Sequence, residues 1–93
     1  MLLVDVGYKN YLNRREIDGI LDYGSSPVRK LVQSSRDRGV LMDMTKGKRT
    51  RTVIRLKSGA VAISALTSET IGHRVDAVAQ DTEKESPLER QHP

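Results

Sequence analysis

Short apolar runs separated by polar punctuation divide the chain into a handful of elements. Residues 2–6 form a compact apolar segment that predicts a strand, ended by Gly7. The stretch from Tyr8 to Tyr23 supports two patterns. Asn13 followed by Glu16 has the spacing of a capping box, and Ile17, Ile20 and Leu21 stand at i, i+3 and i+4, as on a helix. Ile17, Leu21 and Tyr23 also fit one face of a strand with Gly19 between them. The reading adopted is two short strands flanking a capped turn at residues 12–16.

The clearest helix begins at Ser26-Pro27, with Ser26 as N-cap, Pro27 at the first helical position, and Val28, Leu31 and Val32 along one face. Gly39 stops it behind a last turn containing Arg36 and Arg38, where cations complement the carbonyl end of the helix. Residues 40–44, VLMDM, predict a strand, and residues 45–48 a loop. In RTRTVIRLK, strict alternation puts Arg49, Arg51, Val53, Arg55 and Lys57 on one side and Thr50, Thr52, Ile54 and Leu56 on the other, a strand with one apolar face. Ser58-Gly59 is a hairpin signal, and AVAISALT returns as the partner strand. Residues 68–80 predict a second helix with Ile71, Val75 and Val78 on one side, which Gly72 weakens by about 1 kcal/mol relative to alanine. The order strand, strand, helix, strand, hairpin, helix indicates an α+β fold: a small, mostly antiparallel β-sheet with two helices packed on its apolar face.

Composition adds a constraint on size. The chain has 93 residues, enough for one domain, and its aromatics are three tyrosines with no Phe or Trp. A core so small and so poor in large rings makes self-association plausible on physical grounds. With no cysteine and only His73 and His92, neither a disulfide framework nor a thiolate zinc site is possible, and no metal or cofactor is expected. The first residues have no basic segment and no small-residue cleavage site, and no run approaches a membrane span, so a soluble cytoplasmic protein with no membrane partner is expected.

Charge changes the picture most. The net charge is +4, yet from Asp81 onward four acids face two bases, which leaves +6 on residues 1–80. The expected organisation is a basic binding and oligomerisation domain over residues 1–80 and a flexible, slightly acidic tail over 81–93. Residues 46–59, KGKRTRTVIRLKSG, hold six basic side chains and no acid. Charge runs are often only the solvated, aggregation-resistant face of an edge strand. A face made for solubility mixes both signs, however, and this one does not, which points to a polyanion. Arginine dominates the run, and its planar fork grips phosphate through paired hydrogen bonds.

Other chemistries fit less well. A Walker loop would need glycine five residues before Gly47 and Ser or Thr after Lys48, where Met42 and Arg49 stand. Asp5, Asp18, Asp22, Asp37 and Asp43 are scattered, and His73 has no visible catalytic partner, so neither an enzyme nor a small-molecule substrate is indicated. No tyrosine is interleaved with the basic run, which favours duplex contact over single-strand stacking. An acidic protein partner and RNA remain alternatives that charge alone leaves open.

SSPVRKLVQSSRDRGVLMDMTKGKRTRTVI, with the opening VDVGYKN and the later AVAISALTSETIGHRV, resembles the RemA family of bacterial extracellular matrix regulatory proteins over residues 2–75. The resemblance implies a non-enzymatic DNA-binding regulator of genes such as those for biofilm matrix, assembled as a homo-oligomeric ring, an octamer. It implies that the family's paired basic residues fall on Lys48 and Arg49, with Arg51 close behind, and that the family proline ahead of the helix is Pro27. Two departures stand out. The first of the paired residues is lysine, which keeps the charge and loses the fork. A third family arginine aligns with Glu16, leaving Arg14 or Arg15 to stand in for it. The expected duplex contacts are therefore Lys48, Arg49 and Arg51, supported by Arg15, Lys46 and Arg55.

Overall fold

Ile17 and Ile20 are three residues apart, a helical spacing, yet both lie in a strand and face the same core. The computed structural model describes residues 2–84, with side chains as far as Val78. It places them in β3 (Ile17–Asp22), which pairs antiparallel with β5 (Thr52–Leu56). Ile17 is opposite Leu56 and Gly19 opposite Arg55, so Asp18 is an extra residue in the ladder. This bulge resets the alternation: Ile17 and Ile20 join Ile54 on one face, while Leu21 and Tyr23 join Val53 on the other. The expectation that Ile17, Leu21 and Tyr23 share a face is corrected for that reason.

Upstream, β1 (Leu3–Asp5) and β2 (Tyr11–Asn13) form a separate antiparallel ribbon, and a 3-10 turn (Arg14–Glu16) connects it to β3. The Asn13 side chain caps that turn by accepting from the Arg15 N–H at 3.0 Å, so two strands around a capped turn is the arrangement found. Helix α1 spans Ser26–Asp37. Its N-cap is Ser25, one residue earlier than expected, with the hydroxyl accepting from the Val28 N–H. Pro27 therefore occupies the second helical position, where an N–H would have no intrahelical acceptor anyway. Strand β4 (Leu41–Asp43) runs parallel to β6 (Val61–Ser64), giving a sheet ordered β3-β5-β6-β4 with antiparallel pairing elsewhere. Helix α2 spans Ser68–Lys84, four residues into the segment expected to be tail; residues 85–93 lie outside the described region.

The two helices cover opposite faces of the four-stranded sheet, where a shared face had been expected. Val53 and Ile54 are adjacent in β5 and both are 0% exposed. Val53 packs with Val61, Ile63 and α1's Val32; Ile54 packs with Ala62, α2's Ile71, and Val4, Val6 and Leu12 from the ribbon. A strand buried on both sides needs apolar residues at consecutive positions, which is why VAIS in β6 is buried throughout. The ribbon is fastened to the sheet through Ser64, whose buried hydroxyl donates to the Val6 carbonyl at 2.7 Å and accepts from the Leu66 N–H at 3.1 Å. Gly7 makes this approach possible: its φ is +109°, and a Cβ there would come 3.3 Å from Leu66.

Candidate nucleic-acid interface

Strand β4 must cross the end of β6 to reach β5, and residues 44–51 make that crossing. The loop is pinned at both sides of β6: Met44 N–H donates to the Ile63 carbonyl at 3.0 Å and Arg51 N–H to the Ser64 carbonyl at 2.9 Å. Between these points Asp43 Oδ1 accepts from both the Thr45 hydroxyl, at 2.6 Å, and the Thr45 N–H, at 2.9 Å. A tight turn follows, with Lys46 at φ +53°, Gly47 at φ +78°, and Lys48 N–H donating to the Thr45 carbonyl at 3.0 Å. Two consecutive left-handed residues are the mark of a primed turn, for which Gly47 is the natural second residue. The sequence thus folds the basic segment locally into a fixed projection from the sheet.

The Thr45 hydroxyl and N–H together hold the Asp43 carboxyl below its ordinary pKa of 3.8, with Arg36 adding a smaller pull and partial burial opposing them. A depressed carboxylate pKa means that this anchoring is fully present above 3.8 and is lost as pH falls through the lower folded value. The Thr45 amide resonance is expected to titrate with a midpoint below 3.8, and Asp43→Asn to abolish that titration while leaving the resonances of α2 in place.

Lys46, Lys48, Arg49 and Arg51 all present exposed side chains. Among the described residues the one ion pair joins Arg74 to Asp5, at 3.6 Å, so these four cations have no carboxylate partner among those residues. Arg51 is the most firmly placed, since its carbonyl also accepts from Tyr23 N–H at 3.0 Å.

Arg15 and Arg55 are exposed as well, yet they stand at the other end of β5. The Glu16 carbonyl accepts from Lys57 N–H at 2.8 Å, which fixes the Arg14–Glu16 turn beside the β5–β6 hairpin. Arg55 lies opposite Gly19, with its Cδ 3.9 Å from where a glycine Cβ would be. The continuous line of cations expected on one face of the strand is interrupted, because Val53 at its centre is buried beneath α1. Regular pairing of β5 begins only at Thr52, so Arg49 and Arg51 belong to the loop that leads into it. Of the two candidates to replace the missing family arginine, Arg15 is exposed, whereas Arg14 is half-buried with its Nε out of water and unpartnered.

Sequence reasoning missed Tyr8 and Lys9. Gly7 and Asn10 close a second left-handed turn, with Tyr8 at φ +53° and Lys9 at φ +64°, and Asn10 N–H donating to the Gly7 carbonyl at 3.0 Å. The Lys46 ammonium sits 5.8 Å from the Tyr8 ring centroid, so the two turns adjoin. Among the described residues the three non-glycine positions with positive φ are all in this pair of turns, each costing on the order of 1 kcal/mol. GYKN does carry the Gly and Asn punctuation of a turn, but only the tertiary fold brings it beside the basic loop.

The chain matches, over residues 3–75, the family described as RemA-like, Extracellular matrix regulatory protein A-like. This chain belongs to the RemA-like family. The match takes in the whole sheet, both turns and the start of α2. Among similar RemA-like chains is one from Moorella thermoacetica, 36% identical over 87 residues, which cover 94% of this chain and 96% of that one. Another, from Heliobacterium modesticaldum, is 40% identical over 75 residues, covering 81% and 82%. A third, from Clostridium botulinum, is 37% identical over 79 residues, covering 85% and 87%. Each carries the provisional name of regulatory protein.

Proposed function

We propose that this RemA-like protein is a non-enzymatic regulator that binds duplex DNA through Lys48, Arg49 and Arg51, with Lys46 adding charge from the same loop and Arg15 and Arg55 from the far end of β5. The observation that carries the reading is the rigid loop of cations at one end of the sheet: its backbone is fixed by hydrogen bonds while its charges make no ion pair among the described residues. Pre-organised cations lose little freedom on meeting a regular polyanion, and each phosphate neutralised releases a counterion. Contact of this kind positions a duplex and carries little base sequence information, so target choice would rest mainly on DNA shape.

Self-association into a ring, an octamer by resemblance, belongs to the same proposal. Leu3, Tyr8 and Tyr11 are 45%, 46% and 52% exposed on the outer side of the ribbon and its turn, an apolar surface that another copy would cover. Repeating one modest basic loop around a closed assembly multiplies avidity without new contacts. The family description supports control of extracellular matrix genes as the role, exercised in the cytoplasm where the DNA is. No helix among the described residues is long and apolar enough to cross a membrane.

The test is a mobility-shift titration of the intact protein on a mixed duplex library at increasing salt, paired with light scattering. Retention should weaken linearly on a log–log plot, and the scattering mass should exceed that of one chain. A protein that retains no duplex at any salt concentration would refute the DNA reading, and a monomer that retains duplex would refute the ring.

A further inference from the structure

Three segments far apart in sequence meet where β3 ends, β5 begins and α2 begins, and they surround an open depression of about 240 Å³. Its walls include Asp22 and Tyr23, Arg49 and Arg51, and Thr67 and Ser68. Thr67 caps α2, its hydroxyl accepting from the Thr70 N–H at 3.2 Å, so the positive end of a 17-residue helix opens at the same place. Asp22 is the carboxylate of the same depression; its Oδ1 accepts from the Ser68 hydroxyl, and among the described residues it makes no ion pair with either arginine. Arg49 and Arg51 thus line a concave site without a salt-bridge partner among the described residues.

We propose that this depression binds a free nucleotide bearing a terminal phosphate, of the nucleoside monophosphate class, and that its occupant competes with duplex DNA for Arg49 and Arg51. The guanidinium forks and the α2 N-terminus suit the phosphate. Half-buried Tyr23 brings an aromatic wall suited to a base or sugar. The Asp22 carboxylate, which also lines the depression, is the acceptor for a ribose hydroxyl. A volume of about 240 Å³, below the roughly 300–1,000 Å³ of most ligand sites, suits an occupant no larger than one nucleotide. The competition rests on the DNA-binding reading; the nucleotide site itself does not.

Equilibrium dialysis of the full chain against labelled AMP at low ionic strength tests this, with adenosine and inorganic phosphate as comparators. AMP should bind saturably at one per chain and adenosine should not bind, and Arg51→Gln should weaken AMP by about tenfold or more. Ser68→Leu, which fills the depression without touching the arginines, should abolish AMP uptake while keeping duplex retention within about twofold. Matching circular dichroism melts establish that both variants fold. Excess AMP should release bound duplex. Absence of saturable AMP uptake, or uptake undiminished in a folded Ser68→Leu protein, overturns the proposal. Duplex retention without AMP uptake sinks only this inference, whereas AMP uptake without duplex retention sinks only the DNA reading and the competition drawn from it. Tight binding confined to 5′-phosphorylated duplex ends, with no AMP uptake, would assign the depression to a strand terminus and also overturn it.

Discussion

Replacing Arg49 and Arg51 together with alanine lowers affinity for duplex DNA by about a hundredfold at low salt, and flattens the log–log salt dependence by about two units per contacting chain. Both side chains are exposed, and neither makes an ion pair among the described residues, so their removal leaves the packing of the sheet untouched. The loss therefore reports binding. Because slope counts neutralised phosphates, an assembly in which several protomers touch one duplex gives a slope change that is a multiple of the single-chain value. Lys48→Ala, one point charge on the same turn, should flatten the slope by about one unit per contacting chain. A double variant with the parental slope would show that phosphates are held elsewhere on the molecule.

Ile54→Ala is expected to destabilise the fold by about 3 kcal/mol, read as a lower urea midpoint with an unchanged m-value. Ile54 is 0% exposed at the centre of the sheet, where α2 and the N-terminal ribbon both bear on it. No aromatic ring other than tyrosine is available to fill the void. Against a total stability of roughly 5–15 kcal/mol for proteins generally, that is a large share. Ile20→Ala, on the same face but half-buried, should cost less. Since an assembled protein unfolds at a concentration-dependent midpoint, all variants must be compared at one chain concentration. A shift below about 1 kcal/mol for Ile54→Ala would mean that the two covering layers collapse into the cavity.

The sequence made the elements legible wherever local chemistry sets them. Ser-Ser-Pro opened α1, Gly39 closed it, Ser58-Gly59 turned the hairpin, and Asn13 capped the short turn before β3. The layering was hidden because alternation in RTRTVIRLK suggests one wet face, and only the docking of α1 reveals Val53 as core. The basic loop was visible as a run of charge, and its membership in one site was not. Arg55 reads as part of that run and Arg15 as its support, but both belong to the opposite end of β5, while Tyr8 reaches the loop from near the N-terminus. The depression beside Arg51 had no signature either, since its walls come from residues 22–24, 49–51 and 67–68 and converge only in three dimensions.

The supernumerary Asp18 marks a place where the chain has slack in its length. It is exposed, and almost any side chain should be accepted there. Deleting it would keep the pairing phase. Ile17 already stands opposite Leu56 and Gly19 opposite the adjacent Arg55, so without Asp18 the ladder would run on unbroken with Ile17 still on the side of Ile54 and Ile71. What deletion removes is the local bend and extra twist of the bulge. Natural relatives should therefore vary at this position in its presence as well as in its letter.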